Sequence, residues 1–377
     1  MDLGYSEEQE LLKKSAHEFL QTECPKKLVR AMEEDEKGYS PELWKKMADL
    51  GWQGLVVPEK YGGSGLGFLD LCLLLEEHGR YLLPGPFFST VVLAGLPIAW
   101  SGTEAQKKQY LSKIATGELI MTLALTEPSA RWDAQGVQLK ARAVRDGYVL
   151  NGTKLFVQNA NVADALIVAA RTRKAARPEN GITLFLVDGR AAGVRQTLLK
   201  TIASDRQSEV VFRNVRVPKT AVLGEANKGW EVLAKLLQYA AVAEAARMVG
   251  MAQQALDMSV DYAKNRVQFG RPIGSFQAIQ HKCADMVTNV DGARYITYLA
   301  AWKLTEGEDA GMEVSMAKAW CSDALRAVSA QAQQIHGGIG FTKEYDLQLF
   351  FRRIKAAEIH YGDADFHRER VAQLLGL

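Results

Sequence analysis

Residues 137–154 read VQLKARAVRDGYVLNGTK, a stretch in which apolar and polar side chains alternate. Apolar residues occupy every second position over 137–143, and the alternation resumes at Tyr148 after the pair Asp146-Gly147. Such alternation is typical of strands with one buried face, and Asp-Gly between two alternating segments is a strong signal for a hairpin turn. The stretch therefore predicts two antiparallel β-strands in the middle of the chain.

The sequence that follows this hairpin extends the β pattern. Apolar and β-branched residues are concentrated at 165–170, 182–187 and 209–217, with polar turns and no helical period between them. Strands in direct succession are typical of antiparallel sheets, because parallel strands need long crossover connections. We expect a middle β domain over 119–226 that is an antiparallel sandwich or barrel.

The sequence before the middle domain predicts helices. Ser6 and Gln9 have the spacing of a capping box, and Ser40-Pro41 is typical of a helix start. The glycine-rich segment 61–67 lacks a preceding strand and the spacing of a dinucleotide-binding loop, so it predicts a turn. We expect an N-terminal helical domain over 1–118.

Four long helical segments follow the middle domain. They cover 229–266, 276–305, 313–335 and much of 347–374, and glycine or proline residues separate them. Long helices joined by short breaks favour a four-helix bundle over 227–377. The predicted class is therefore α+β with three domains in the order helical, β and helical.

The composition limits the classes of function. The chain has 46 Lys+Arg and 44 Asp+Glu, a net charge of +2, which argues against nucleic-acid binding. The longest apolar stretch, 87–100, is too short to span a membrane. The four cysteines lack metal-ligand spacing, so we expect free thiols and no metal site. Because residues 1–10 contain no basic side chain, we also expect a cytoplasmic protein.

Several motifs occur in a fixed order along the chain. They are LTEP at 125–128, NGTK at 151–154, RVQFG at 266–270, Pro272-Ile273, Gln277-Ala278-Ile279 and QIHGGIGF at 334–341. With these motifs the chain resembles the acyl-CoA dehydrogenase family over essentially its whole length. The resemblance implies bound FAD and α,β-desaturation of an acyl-CoA thioester. In that reaction a carboxylate removes the α-proton, and the β-hydride passes to the flavin and then to an electron-transfer flavoprotein or another acceptor.

The resemblance also implies which residues bind FAD. The group on the adenine and pyrophosphate side, which serves a neighbouring subunit's FAD, consists of Arg266, Phe269, Gln277, Gln334, Gly337 and Gly338. The group on the flavin side consists of Thr126, Phe156 and Asp363. A guanidinium grips a pyrophosphate well, and glycines let a backbone approach a ligand closely. The alternative interpretation makes Arg266 a solvated cation at a helix end and the glycine pair a simple helix stop.

The usual catalytic base of the family is absent. Tyr361 occupies the position of the Glu in the family's Tyr-Glu-Gly-Thr, and Ala240 occupies the alternative Glu position in the first bundle helix. Glu244 lies one helical turn after Ala240 and is the candidate for a relocated base, with a carboxylate at the surface or the edge of the bundle as the alternative. A phenol is a weak base at neutral pH, so Tyr361 is interpreted mainly as a packing residue.

Other departures affect the flavin side and leave two roles open. Arg131-Trp132 replaces a small Gly-Ser pair, and Asp363 puts a negative charge where a polar flavin contact is expected; the alternative makes Asp363 a helix cap. One hypothesis is an active dehydrogenase, as a homotetramer with a relocated base. The other is a non-catalytic subunit of a heterotetramer that completes its partner's FAD site. Segments 79–87 and 350–362 resemble the partner type found in bacterial heterotetramers.

Overall fold

The computed structural model describes residues 4–377, and it confirms the predicted order of helical, β and helical regions. The N-terminal helices are α1 (Glu7–Glu23), α2 (Lys26–Glu34), α3 (Pro41–Asp49), α4 (Phe68–Tyr81), α5 (Leu96–Ser101) and α6 (Glu104–Ala115). The strands that follow are β1 (Met121–Ala124), β2 (Lys140–Val144), β3 (Gly147–Gln158), β4 (Ala165–Arg171), β5 (Ile182–Asp188), β6 (Val194–Leu199), β7 (Gln207–Pro218) and β8 (Val222–Leu223). The C-terminal elements are α7 (Gly229–Asn265), β9 (Val267–Gln268), β10 (Arg271–Pro272), α8 (Gln277–Glu306), α9 (Gly311–Trp320), α10 (Arg326–His336), α11 (Leu347–Ile359) and α12 (Ala364–Leu374).

Contacts group the chain into two units. The helical unit comprises the chain up to Arg30, Gly67–Leu83 and Gln238–Leu377, and the β unit comprises Ala31–Leu66 and Pro84–Leu237. The three domain boundaries expected from the sequence stay a prediction. Among the described helices, none combines the length and apolarity needed to cross a membrane. The four cysteines are free thiols, as predicted.

The sheet of the β unit has the strand order β6-β7-β3-β2-β4-β5-β8, with β1 paired to β4. The predicted hairpin is confirmed, but its turn residues are Arg145-Asp146 and not the expected Asp146-Gly147, because Gly147 already pairs with Val144. Glycine is needed at position 147 because of the neighbouring strand. A Cβ there would lie 1.9 Å from the Val217 carbonyl oxygen on β7.

The expectation of a wholly antiparallel sheet was wrong for two strand pairs, both of which involve β4. β1 runs parallel to β4, with the register Met121↔Ala165 to Ala124↔Val168, and β2 and β4 share one parallel pair, Lys140↔Arg171. Parallel neighbours need a long connection, and the segment between β1 and β4 provides it because the whole β2–β3 hairpin is inserted there. The other strand pairs of this sheet are antiparallel.

A buried ion pair joins two of the sequence motifs in the β unit. Lys154 of the NGTK motif is fully buried, and its ammonium group donates to Glu127 of the LTEP motif at 2.7 Å and to the Leu125 carbonyl at 2.9 Å. The same oxygen of Glu127 also accepts from the backbone N–H groups of Gln138 and Leu139, each at 2.9 Å. The two motifs therefore hold the start of the β domain to the hairpin strand β3.

The fourth helix predicted for the C-terminal bundle is divided into two helices in the structure. The predicted helix over 347–374 is interrupted between α11 and α12, where Tyr361 has φ +58° and Gly362 has φ +98°. These backbone angles lie in the left-handed region, which ends an α-helix. The predicted helix over 313–335 is continuous but contains a π-helical segment, Cys321–Leu325, between α9 and α10.

Glycines bring α4 and α7 into backbone contact within the helical unit. A Cβ on Gly79 would lie 2.0 Å from the Arg247 carbonyl oxygen, and a Cβ on Gly250 would lie 1.8 Å from the Glu76 carbonyl oxygen. Both distances are far below van der Waals contact, so any larger residue would push the helices apart. The close crossing fixes the part of α7 that carries Glu244 and Arg247.

Candidate cofactor and active site

A short hairpin between α7 and α8 carries two of the predicted cofactor residues. Arg266 follows the last residue of α7 and is exposed, and Phe269 stands at the tip with φ +56° and 92% of its surface exposed. The Phe276 ring supports the tip, with its centroid 6.1 Å from that of Phe269 and 4.1 Å from the Arg271 guanidinium carbon. An exposed ring and two arginines on one short hairpin suit a ligand with an aromatic base and phosphates.

The glycine turn after α10 carries three more of these residues. Gln334 is exposed on the last turn of α10, and Gly337 has φ +62°. No atom lies within 4 Å of the position that a Cβ would take on Gly337 or Gly338, so the backbone of this turn is open to a ligand. His336 supports the turn from α10: its Nδ1 donates to the Ala332 carbonyl at 2.8 Å.

These groups fit the adenine and pyrophosphate of FAD. They offer a guanidinium, an aromatic face, an amide and an open glycine backbone, and Gln277 adds a second exposed amide at the start of α8. All six residues belong to the helical unit. Because Arg266, Phe269, Gln334 and Gly338 are exposed on a single chain, they suit a ligand shared with a second subunit. Their role in FAD binding remains the prediction made from the resemblance.

We expect Arg266→Ala to weaken FAD binding at least tenfold. A charge-assisted hydrogen bond contributes about 1.5–3 kcal/mol, and about 1.4 kcal/mol corresponds to a tenfold change in affinity. FAD affinity is measured by flavin fluorescence during equilibrium dilution of the assembled protein. Lys264→Ala is the control, because Lys264 is another exposed cation at the end of the same helix. Equal losses in the two variants would make Arg266 an ordinary helix-end cation.

The predicted flavin-side residues of the β unit lie on and beside β3. Phe156 occupies an irregularity in the pairing of β3 with β7, has φ +54° and is 51% exposed. The Thr126 carbonyl accepts from the Leu155 backbone N–H at 2.9 Å, so the LTEP segment runs beside this strand. Arg131 is exposed, and its Nε lies 3.0 Å from the Asp133 carboxylate. The exposed Phe156 ring is available to pack on a flat ligand.

The turn at 360–363 is fixed by buried polar side chains. Lys318 is fully buried, and its ammonium group donates to the carbonyl oxygens of Glu358 at 2.8 Å and Gly362 at 2.9 Å. His367 lies 3.0 Å from the Tyr361 carbonyl oxygen through Nε2, which must be the protonated nitrogen because a carbonyl only accepts. Burial lowers the pKa of Lys318 to about 8 and that of His367 to about 3.

Two of the predicted site residues lie in this turn. Asp363 is exposed, and its carboxylate accepts from the Phe366 backbone N–H at 2.9 Å, which makes it the N-cap of α12. The alternative interpretation of Asp363 was a helix cap, and the structure shows that contact. The cap uses one of the two carboxylate oxygens. Tyr361 is 6% exposed, in agreement with its interpretation as a packing residue.

Glu244 lies close to this turn, as a relocated base would require. It is 1% exposed; its Oε2 lies 3.0 Å from Arg247 Nη1, and its Oε1 lies 3.5 Å from His360 Nδ1. Burial raises the pKa of this carboxyl, but the Arg247 guanidinium, His360 and Lys318 outweigh that effect and bring the pKa down to about 2. A carboxylate that is held ionised so firmly is a weak proton acceptor.

Two residues around Tyr361 were missed from the sequence. Lys318 lies on α9, more than 40 positions before the turn that it holds, and no motif marks it. His360 precedes Tyr361 directly, but its contact with Glu244 joins the turn after α11 to α7, which are distant in sequence. For Lys318, the only indication in the sequence was its position between two alanines in an otherwise apolar part of the helix.

Comparison with known proteins agrees with this arrangement. Family models of the acyl-CoA dehydrogenase N-terminal, middle and C-terminal domains match residues 6–118, 122–215 and 227–376. A 3-(aryl)acrylate reductase from Clostridium sporogenes is 36% identical over 98% of this chain and 99% of its own length. The caffeyl-CoA reductase-Etf complex subunit CarC from Acetobacterium woodii is 34% identical over 98% of this chain and 99% of its own length.

Solved structures show the same similarity. Butyryl-CoA dehydrogenase from Megasphaera elsdenii superposes with a TM-score of 0.92 at 34% identity, covering 100% of both chains. A chain of the ChsE4-ChsE5 complex from Mycobacterium tuberculosis superposes with a TM-score of 0.91 at 28% identity, covering 100% of this chain and 99% of that chain. The second of these structures contains two different subunits by name.

Proposed function

The chain belongs to the acyl-CoA dehydrogenase family, and we propose that it works as a FAD-dependent flavoprotein that desaturates an acyl-CoA thioester between its α- and β-carbons. The observation that carries the proposal is that the helical unit exposes Arg266, Phe269 and Gln334 and leaves the Gly337-Gly338 backbone open. An arginine, an exposed ring and an open glycine backbone together match the parts of an adenine dinucleotide.

The residues of the chain divide the work as follows. Arg266 would hold the pyrophosphate, Phe269 would cover the adenine, and the open Gly337-Gly338 backbone would let the cofactor approach. On the β unit, Phe156 would pack on the flavin ring. FAD supplies the hydride acceptor when it is bound.

A second role is favoured by specific residues. Tyr361 and Ala240 stand where the family carries its base, Arg131-Trp132 replaces a small Gly-Ser pair, and Glu244 is held ionised by Arg247. These features support a subunit that completes the FAD site of a homologous catalytic partner. The ChsE4-ChsE5 complex shows that assemblies of two named subunits occur among structural relatives of this chain.

Three further parts of the proposal concern partners and location. We propose an electron-transfer flavoprotein as the electron acceptor, because the caffeyl-CoA relative is named as a subunit of an Etf complex. We propose a tetramer, formed either by copies of this chain or with a homologue. A cytoplasmic location is supported by the four free thiols, which persist in reducing compartments.

An anaerobic titration distinguishes the two roles. The chain is purified alone and after co-expression with a homologue that carries the missing Glu, and each preparation is titrated with a panel of acyl-CoA esters. Loss of flavin absorbance in the chain purified alone supports an active dehydrogenase. Loss of absorbance only in the co-expressed complex supports the partner role, and no loss in either contradicts the proposed function.

A further inference from the structure

The segment around position 361 contains a histidine beside a buried carboxylate. His360 is the last residue before the left-handed turn at Tyr361, and its Nδ1 lies 3.5 Å from Glu244 Oε1. The distance is longer than that of a good hydrogen bond, and Nδ1 is buried without another partner; catalytic hydrogen bonds are often long before a substrate binds. The pair joins the end of α11 to the middle of α7.

Glu244 divides its two oxygen atoms between two partners. Oε2 lies 3.0 Å from Arg247 Nη1, which leaves Oε1 for His360. Because Arg247 keeps Glu244 ionised, its carboxylate can only accept, so a hydrogen bond between this pair requires the hydrogen on Nδ1 of the imidazole. Nδ1 of His360 then carries the hydrogen, and Nε2 keeps the free electron pair.

The position of the ring agrees with this tautomer. Nδ1 is buried, while the His360 side chain as a whole is 19% exposed, so its exposed atoms are not the one that faces Glu244. The turn that carries the ring is held by Lys318 and His367, through the carbonyl oxygens of Gly362 and Tyr361. A strained backbone that several side chains hold in place is common at functional sites.

We propose that His360, oriented by Glu244, is the base that accepts the α-proton of the acyl-CoA thioester. This inference rests on the proposed function and gives Glu244 a positioning role. The α-carbon–hydrogen bond breaks, the proton goes to Nε2, and the electron pair stays on the thioester as an enolate. The resulting imidazolium is stabilised by the carboxylate at its other nitrogen, as in other carboxylate-histidine pairs.

Proton exchange tests this step without hydride transfer. The probe is an acyl-CoA with sulfur in place of the β-carbon, which cannot lose a hydride, and NMR follows the exchange of its α-protons in D₂O on the FAD-loaded assembly. We expect His360→Ala to slow exchange by about 100-fold or more, since general-base catalysis contributes about 10²–10⁴-fold. Added imidazole should restore part of the rate, which a purely structural residue would not allow. Glu244→Gln should slow exchange while FAD stays bound.

A matched control and a second variant make the result decisive. His281→Ala removes another histidine of the helical unit, an exposed one on α8, and should leave exchange unchanged. If His360→Ala loses FAD or folds poorly, His360→Gln keeps the volume and answers the same question. If a folded His360 variant exchanges α-protons at the original rate, this inference is overturned. Reduction of the flavin by acyl-CoA in the same variant would still support the proposed function. Absence of both exchange and flavin reduction in the unaltered assembly contradicts both.

Discussion

Glu127→Gln should destabilise the β unit by about 3–5 kcal/mol, the usual cost of removing one partner from a buried ion pair. The amide keeps an oxygen for the backbone N–H groups of Gln138 and Leu139 but leaves the fully buried Lys154 ammonium without a counter-charge. Burial already lowers the pKa of Lys154 to about 8 against the opposing effect of Glu127, so the lysine in the variant should lose its proton more easily. Chemical denaturation followed by tryptophan fluorescence measures the loss.

The control for this experiment is an exposed ion pair in the same unit. Glu42 and Lys46 are paired at 3.1 Å on α3 with side chains 80% and 39% exposed, and Glu42→Gln should cost about 0.5 kcal/mol or less. If Glu127→Gln is no more harmful than Glu42→Gln, the two motifs do not hold the β domain together.

Glu244→Gln should remove part of the acid sensitivity of the helical unit. The ordinary pKa of 4.5 applies in the unfolded chain, whereas the folded protein holds it at about 2. A carboxyl with a lowered folded pKa contributes stability above pH 4.5 and loses it as the pH falls toward 2. The difference between the two pKa values corresponds to about 3 kcal/mol. The free energies of unfolding of the original protein and the variant should therefore approach each other as the pH falls over this range.

Urea denaturation at pH values between 7 and 2.5 checks this expectation. Asp365→Asn serves as the control, because Asp365 is an exposed carboxylate of the same unit, paired with the exposed Arg368. If the difference in the free energy of unfolding between the original protein and Glu244→Gln stays constant with pH, Glu244 is not held ionised by Arg247 and its other neighbours.

Local patterns predicted much of the fold. The capping pair Ser6 and Gln9 forms the expected reciprocal hydrogen bonds, each 3.2 Å long, because both partners lie within one helical turn. The hairpin of β2 and β3 followed from alternation and a turn signal. The parallel pairing of β1 with β4 did not, because strand neighbours that are distant in sequence depend on the packing of the whole sheet.

In the candidate site, too, residues in local motifs could be proposed from the sequence, whereas contacts between distant segments could not. Arg266, Phe269 and the glycine pair could be proposed from the sequence because they lie in short contiguous motifs, and the structure leaves Arg266, Phe269 and Gly338 exposed. The break before α12 and its support by Lys318 were missed, because a buried lysine bound to two carbonyl groups leaves no periodic pattern. The contact between Glu244 and His360 joins residues more than 100 positions apart, so only the fold reveals it.

The most direct test of the central claim is the FAD content of the purified protein. The assembled protein, alone or with its homologous partner, is isolated without added flavin, and its absorbance near the flavin band is compared with its protein concentration. Membership in a FAD-dependent acyl-CoA dehydrogenase assembly predicts a yellow protein that carries FAD at a fixed ratio to subunits, with the ratio reduced in Arg266→Ala. A colourless assembly that neither retains nor takes up FAD would contradict the account.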